Sequence, residues 1–151
     1  MKIDFNYIKE MLEVIQNVES STFDLQVFAY EWFNADDATN KDQKFIFHIE
    51  ILEDMGLIKS ASNTVGIGIS RSIEGTPLIS FIPLRLTSDG HEYASALSKP
   101  GVLETLINDF KEAGPKEAYT VVKKLAQQYL DNKLSKALGF CETGNKESNN
   151  S

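Results

Sequence analysis

The sequence predicts a mostly helical α+β domain. Three observations carry this: helical apolar spacing towards both ends of the chain, two β-rich runs in the middle, and a glycine followed by a hydrophobic pair at the first change of period. From Asp4 onward, Phe5, Ile8, Leu12, Ile15 and Val18 recur at three- and four-residue intervals, with Lys9, Glu10, Glu13 and Gln16 between them. That spacing puts one apolar stripe on a helix. Asp4 is placed to cap its N-terminus, and the run Glu19-Ser20-Ser21-Thr22 ends it with side chains that compete for backbone hydrogen bonds.

Phe23 to Phe33 reads as a second helix through Leu25, Phe28, Ala29 and Trp32, although its aromatic density also suits a strand. The segment NADDATN over 34–40 is a polar loop. A further helix runs from about Lys41 to Met55 and stops at Gly56, which has the place of a C′ glycine. After Leu57 and Ile58 the period becomes two. VGIGISRSI alternates Val65, Ile67, Ile69 and Ile73, PLISFIPLRL is a second β-rich run, and Glu74-Gly75-Thr76 is the turn between them. Gly66 and Gly68 mark a bulge or a close backbone approach.

Thr87 or Ser88 caps a helix reaching Leu97, Pro100 interrupts, and Val102, Leu103, Leu106, Ile107 and Phe110 carry another amphipathic segment. Pro115 suits the first position of a long final helix, whose face is marked by Ala118, Val121, Val122, Leu125, Ala126, Tyr129 and Leu134. The expected organisation is a single domain over 1–140 and a disordered tail over 141–151, CETGNKESNNS. Helix, glycine, hydrophobic pair and long hairpin, in that order, describe the recognition helix and wing of a winged-helix-like core, here extended by C-terminal helices.

Two segments carry a resemblance: Phe47-His48-Ile49 and Leu52 with Met55-Gly56-Leu57-Ile58, and Arg85-Leu86-Thr87 with Gly90-His91-Glu92. Together they resemble the bacterial and phage-associated domain-of-unknown-function family numbered 2513. The likeness covers roughly residues 1–138, with a longer and more aromatic 22–40 segment and a longer hairpin here. It implies a winged-helix-like fold in a bacterial or prophage setting and no catalytic activity.

Charge separates the function classes. The net charge is −7, and residues 22–58 alone carry −6, whereas 99–140 carry +2. Nucleic-acid binders draw most of their non-specific affinity from neutralising phosphates, so an acidic segment on the candidate recognition helix opposes DNA. On that helix Phe45, Ile49 and Leu52 lie on one side, and Gln43, Glu50, Glu53 and Asp54 occupy much of the opposite arc. Ile46, Phe47 and Ile51 extend the apolar character beyond one stripe, so the helix either packs under its own hairpin or presents a partner surface. Ile46, Phe47, Ile51, Glu50, Glu53 and Asp54 are therefore the candidate interaction residues.

If DNA is bound instead, Lys41 and Lys44 at the helix start and the two arginines, Arg71 and Arg85, are the candidate contacts. Arg85 is expected to pair with a carboxylate near the following helix start.

No catalytic, cofactor or metal site is expected. His48 and His91 are the only histidines and are not spaced for joint chemistry, so each reads as structural. Phosphate-loop, dinucleotide and zinc-protease motifs are missing, and Asp36, Asp37 and Asp42 lack a calcium-loop spacing. Cys141 is the single cysteine, so neither an internal disulfide nor a CxxC pair is available. No apolar run approaches the roughly 18 residues that span a bilayer, and MKIDFNYIKEM is not a signal-peptide core. The sequence thus points to a cytoplasmic, non-catalytic module acting through a protein partner or self-association. No membrane contact and no small-molecule ligand are expected. A dimeric DNA-binding regulator is the first alternative, and an acidic inhibitor of a nucleic-acid-binding partner is the second.

Overall fold

The computed structural model describes residues 1–28, 32 and 41–139, with backbone alone at 41 and 42. The expected tail and the polar loop over 34–40 lie outside the described residues, as does most of the segment 29–33. The described part is α+β: five α-helices, one short 3-10 helix and two small antiparallel sheets. Among the described residues no helix is long and apolar enough to cross a membrane.

Helix α1 spans Phe5–Gln16 and buries Phe5, Ile8, Met11, Leu12 and Ile15. It starts where Asp4 Oδ1 accepts the Tyr7 N–H at 3.1 Å, which satisfies one of the amides that a helix start leaves without partners. The continuous helix expected from Phe23 is not formed. Phe23 instead bridges to Leu84, exchanging backbone hydrogen bonds of 2.9 and 2.6 Å, Leu25–Phe28 winds into a 3-10 turn with Asp24 Oδ1 accepting the Gln26 N–H, and of the residues that follow up to Phe33 the one described, Trp32, is helical. Pairing with a strand edge satisfies the Phe23 backbone, so its aromatic ring is buried without a helix. Leu25 and Phe28 are fully buried, and Trp32 packs edge-on against Tyr7 and Phe28.

Helix α2, Lys41–Asp54, meets the start of α1 at a buried histidine. His48 is 0% exposed, and both ring nitrogens are used: Nδ1 donates to the Lys44 carbonyl at 2.7 Å and Nε2 accepts the Asp4 N–H at 2.9 Å. Accepting at Nε2 requires the neutral imidazole. Gly56, at φ +70, turns the chain out of α2.

Strand β1 (Ile58–Ser60) pairs with β4 (Leu84–Leu86) with Lys59 opposite Arg85, and β2 (Ile69–Arg71) pairs with β3 (Pro77–Ile79). The single long hairpin of the sequence reading is thus two separate two-stranded ladders. Residues 65–68, expected to alternate as strand, are irregular, because Gly66 and Gly68 take φ values of +84 and +91 that break the pleat. Gly68 also meets the expectation of close backbone approach: a Cβ there would lie 2.2 Å from the Ser80 carbonyl oxygen.

Helix α3 (Ser88–Leu97) is capped by Thr87, whose Oγ1 accepts the Gly90 N–H at 3.0 Å. Helix α4 spans Val102–Asp109, and α5 spans Pro115–Ala137 with Pro115 in its first turn. Helix α5 packs on α3 and α4 through its first half, where Ala118 and Val122 are buried. Gly90 is fixed by space: a Cβ there would sit 2.1 Å from the Leu57 carbonyl oxygen and 2.9 Å from Leu86 Cδ2.

Gly90→Ala should cost about 3 kcal/mol in urea unfolding, since the Leu57 carbonyl that a Cβ would meet is itself held by the Thr87 N–H at the start of the same helix. Burial holds the His48 pKa below its ordinary value, although the Lys44 carbonyl and Asp4 act to raise it. The unfolded chain therefore takes up a proton on this histidine first, and stability should fall as pH drops through about 6.5. Urea midpoints at pH 7.5 and 5.5 should differ in the native protein and converge in His48→Gln.

Candidate interaction surface

The buried side of α2 is wide. Phe45, Ile49 and Leu52 are fully buried towards the core, and His48 is buried against α1. Ile46, expected on an interaction surface, is only 5% exposed and belongs to the core. Two apolar arcs on one helix are satisfied by packing on both sides. Ile51 packs half-buried against the core, and Phe47 is half-buried with its ring edge-on to His48 at 5.0 Å. The outward stripe is Gln43, Phe47, Glu50 and Asp54, spaced by four, three and four residues.

The distal hairpin closes on this stripe. Both terminal nitrogens of Arg71, on β2, donate to the two carboxylate oxygens of Glu50, one at 2.9 Å, in a fork-to-fork pair. Glu50 keeps the Arg71 pKa above its usual value through that bond and its charge. A residue expected to repel phosphate and one expected to attract it thus neutralise each other. Glu53 is half-buried, with Oε1 3.9 Å from where a Cβ on Gly66 would stand. Burial, reinforced by Asp54 and Glu50, raises its pKa. Asp54 is exposed.

The remaining cations of the DNA reading differ in their surroundings. Lys44 Nζ lies 3.0 Å from Asp4 Oδ2 and 4.6 Å from the centre of the Tyr7 ring. Burial pushes the Asp4 pKa up, but Lys44 and the Tyr7 amide outweigh it and hold it below the usual value. Lys41 opens α2, and its side chain is outside the described residues. Arg85 is half-buried and Nη1 donates to the Leu86 carbonyl at 3.1 Å. The carboxylate expected to pair with Arg85 is not found among the described residues, where its bond is to backbone instead.

The exposed large apolar side chains lie mainly elsewhere, on two stretches of chain that α2 spacing could not indicate. Val65 and Ile73, at 102% and 108% exposure, stand fully in solvent on the hairpin segment, and Leu78 and Phe81 are more than half exposed there. Leu130, Leu134 and Leu138 form a second group at four-residue intervals on the last turns of α5 and beyond its end. The sequence held a signal for the second group, because Leu134 was placed on the apolar face of the final helix. For the first, the signal was masked: strict alternation would put Val65 and Ile67 on one face, yet Ile67 is 2% exposed.

Among the described residues no group of three or more His, Cys, Asp or Glu side chains is placed to hold a metal ion. No protein-family model matches the chain, and no curated protein or solved structure matches it.

The Arg71–Glu50 pair is the one ion pair joining the hairpin to α2 among the described residues. Arg71→Ala should leave the global urea midpoint nearly unchanged, because the pair is solvent-exposed. It should speed amide exchange at Ile69–Arg71 and at Leu78 and Ile79, and high salt should have the same effect on the native protein.

Proposed function

We propose that the chain is a non-catalytic, winged-helix-like interaction module of the bacterial or prophage cytosol that acts through protein–protein contacts. The resemblance to the family numbered 2513 supports the setting and the fold type. The carrying observation is the placement of most of the exposed large hydrophobics: four on the hairpin segment between Val65 and Phe81 and three on the α5 stripe, with only Met1 and Val27 elsewhere among the described residues. Exposed apolar groups of this size mark contact sites when they cluster and are unremarkable when single. In this reading the hairpin meets a protein partner, and Leu130, Leu134 and Leu138 pack against the same helix of a second copy.

The neutralised cations oppose the DNA-regulator reading. Lys44 and Arg71 are each paired with a carboxylate inside the chain, so docking on phosphate would first have to break those pairs.

Sedimentation equilibrium and duplex-DNA anisotropy in one low-salt buffer test the proposal. The native protein should self-associate with rising concentration, and Leu130→Glu combined with Leu134→Glu should return it to a monomer with unchanged helicity. No DNA should bind. A native monomer at all concentrations, or saturable salt-sensitive binding to duplex DNA, would refute the reading.

A further inference from the structure

We infer that a cleft beside the outer edge of β4 binds a small organic phosphate, with the phosphate on Arg85 and His91. The cleft has a volume of about 410 Å³ and lies between the end of α1, the connection Ser20–Phe23, strand β4 and the start of α3. Arg85 and His91 both line it, although they belong to different elements. They are also the two basic residues of the Arg-Leu-Thr-x-x-Gly-His segment, whose one acid, Asp89, does not line the cleft. Thr87 and Gly90 of that segment have roles in folding, as cap and as the point of closest packing, whereas Arg85 and His91 do not serve those contacts.

Ladder geometry puts the guanidinium at the cleft. Leu84 spends its N–H and C=O on Phe23, away from β1. Because backbone groups along a strand alternate in direction, the Leu86 carbonyl faces that same outer edge. Arg85 Nη1 bonds to this carbonyl, so the guanidinium wraps to the cleft side of the strand. One of its five N–H donors is used there, and no described carboxylate pairs with it, which leaves a fork suited to a bidentate oxyanion.

The rest of the lining fits the same ligand. No Asp or Glu lines the cleft, in a chain of net charge −7. Ser20, Ser21 and Thr22 supply hydroxyls along one wall, and Ser20 Oγ accepts the Thr22 N–H at 3.4 Å, so its own proton remains to be donated. Ile15, Val18, Phe23 and Leu86 give the opposite character, an apolar wall for an organic body larger than phosphate itself.

Isothermal titration of the full chain with phenyl phosphate, inorganic phosphate, phenylacetate and a short DNA duplex tests this. Phenyl phosphate should bind most tightly, with inorganic phosphate and phenylacetate both weaker. Arg85→Gln should weaken phenyl phosphate about tenfold or more, the loss expected for a charge-assisted bidentate contact. Arg85→Lys should recover part of it, and Ser21→Asp, an exposed change at the rim, should abolish binding with the fold intact. His91→Gln should weaken it less than Arg85→Gln, and Lys124→Gln on α5 should have no effect. No heat with phenyl phosphate at millimolar concentration, binding that Ser21→Asp leaves unchanged, or displacement of phenyl phosphate by the duplex would each overturn the assignment.

Discussion

The Leu57 carbonyl is the point on which the arrangement depends. It accepts the Thr87 N–H at 2.9 Å and, more weakly, the Thr87 hydroxyl at 3.2 Å, while that hydroxyl also donates to the Gly56 carbonyl at 2.5 Å. Gly90 rests on the same oxygen. One peptide group therefore joins the end of α2 to the start of α3 and sets β1 against β4 in register. Thr87 works twice, as a helix cap and as a clamp, and a valine of similar shape would lose both hydrogen-bonding roles. Everything that lies on β4, including the bridge to Phe23 and the direction of Arg85, inherits its place from this junction.

Charge is distributed by pairing more than by segment. The sequence places −6 between residues 22 and 58, yet Glu50 faces a guanidinium, and Lys44 from the same helix is drawn to the N-cap of α1. The acidic helix is thus tied at one end to α1 and at its middle to the distal hairpin. What it offers to solvent is a short stripe ending in Asp54, and the larger apolar exposure lies on the hairpin and on α5.

Local chemistry was legible in the sequence, and long-range pairing was not. Asp4, Thr87 and Pro115 announce helix starts because a cap or a fixed φ acts within one turn. The order of helix, glycine, β-rich runs and capped helix was readable for the same reason. Ile46 was misplaced because α2 has apolar residues on two arcs, and spacing alone cannot say which arc another element will cover. Phe23 joined a strand edge contributed by residues far along the chain, which no local propensity records. The hairpin was read as continuous because alternation assumes a regular pleat, and positive φ at Gly66 and Gly68 removes it. Of the candidate site, the pairing of Glu50 with Arg71 and the convergence of Arg85 with His91 on one cleft both needed the fold.

The ladder of β2 and β3 sits beyond the closed junction, connected to it by irregular chain on both sides. Loop closure has already been achieved at Leu57 and Thr87, and its cost grows only with the logarithm of loop length, by about 0.6 kcal/mol for each doubling. Residues around Glu74 and Gly75 can consequently be added, removed or exchanged with little effect on the core. That opens the hairpin tip to evolutionary diversification and makes it a natural place to graft a foreign recognition loop.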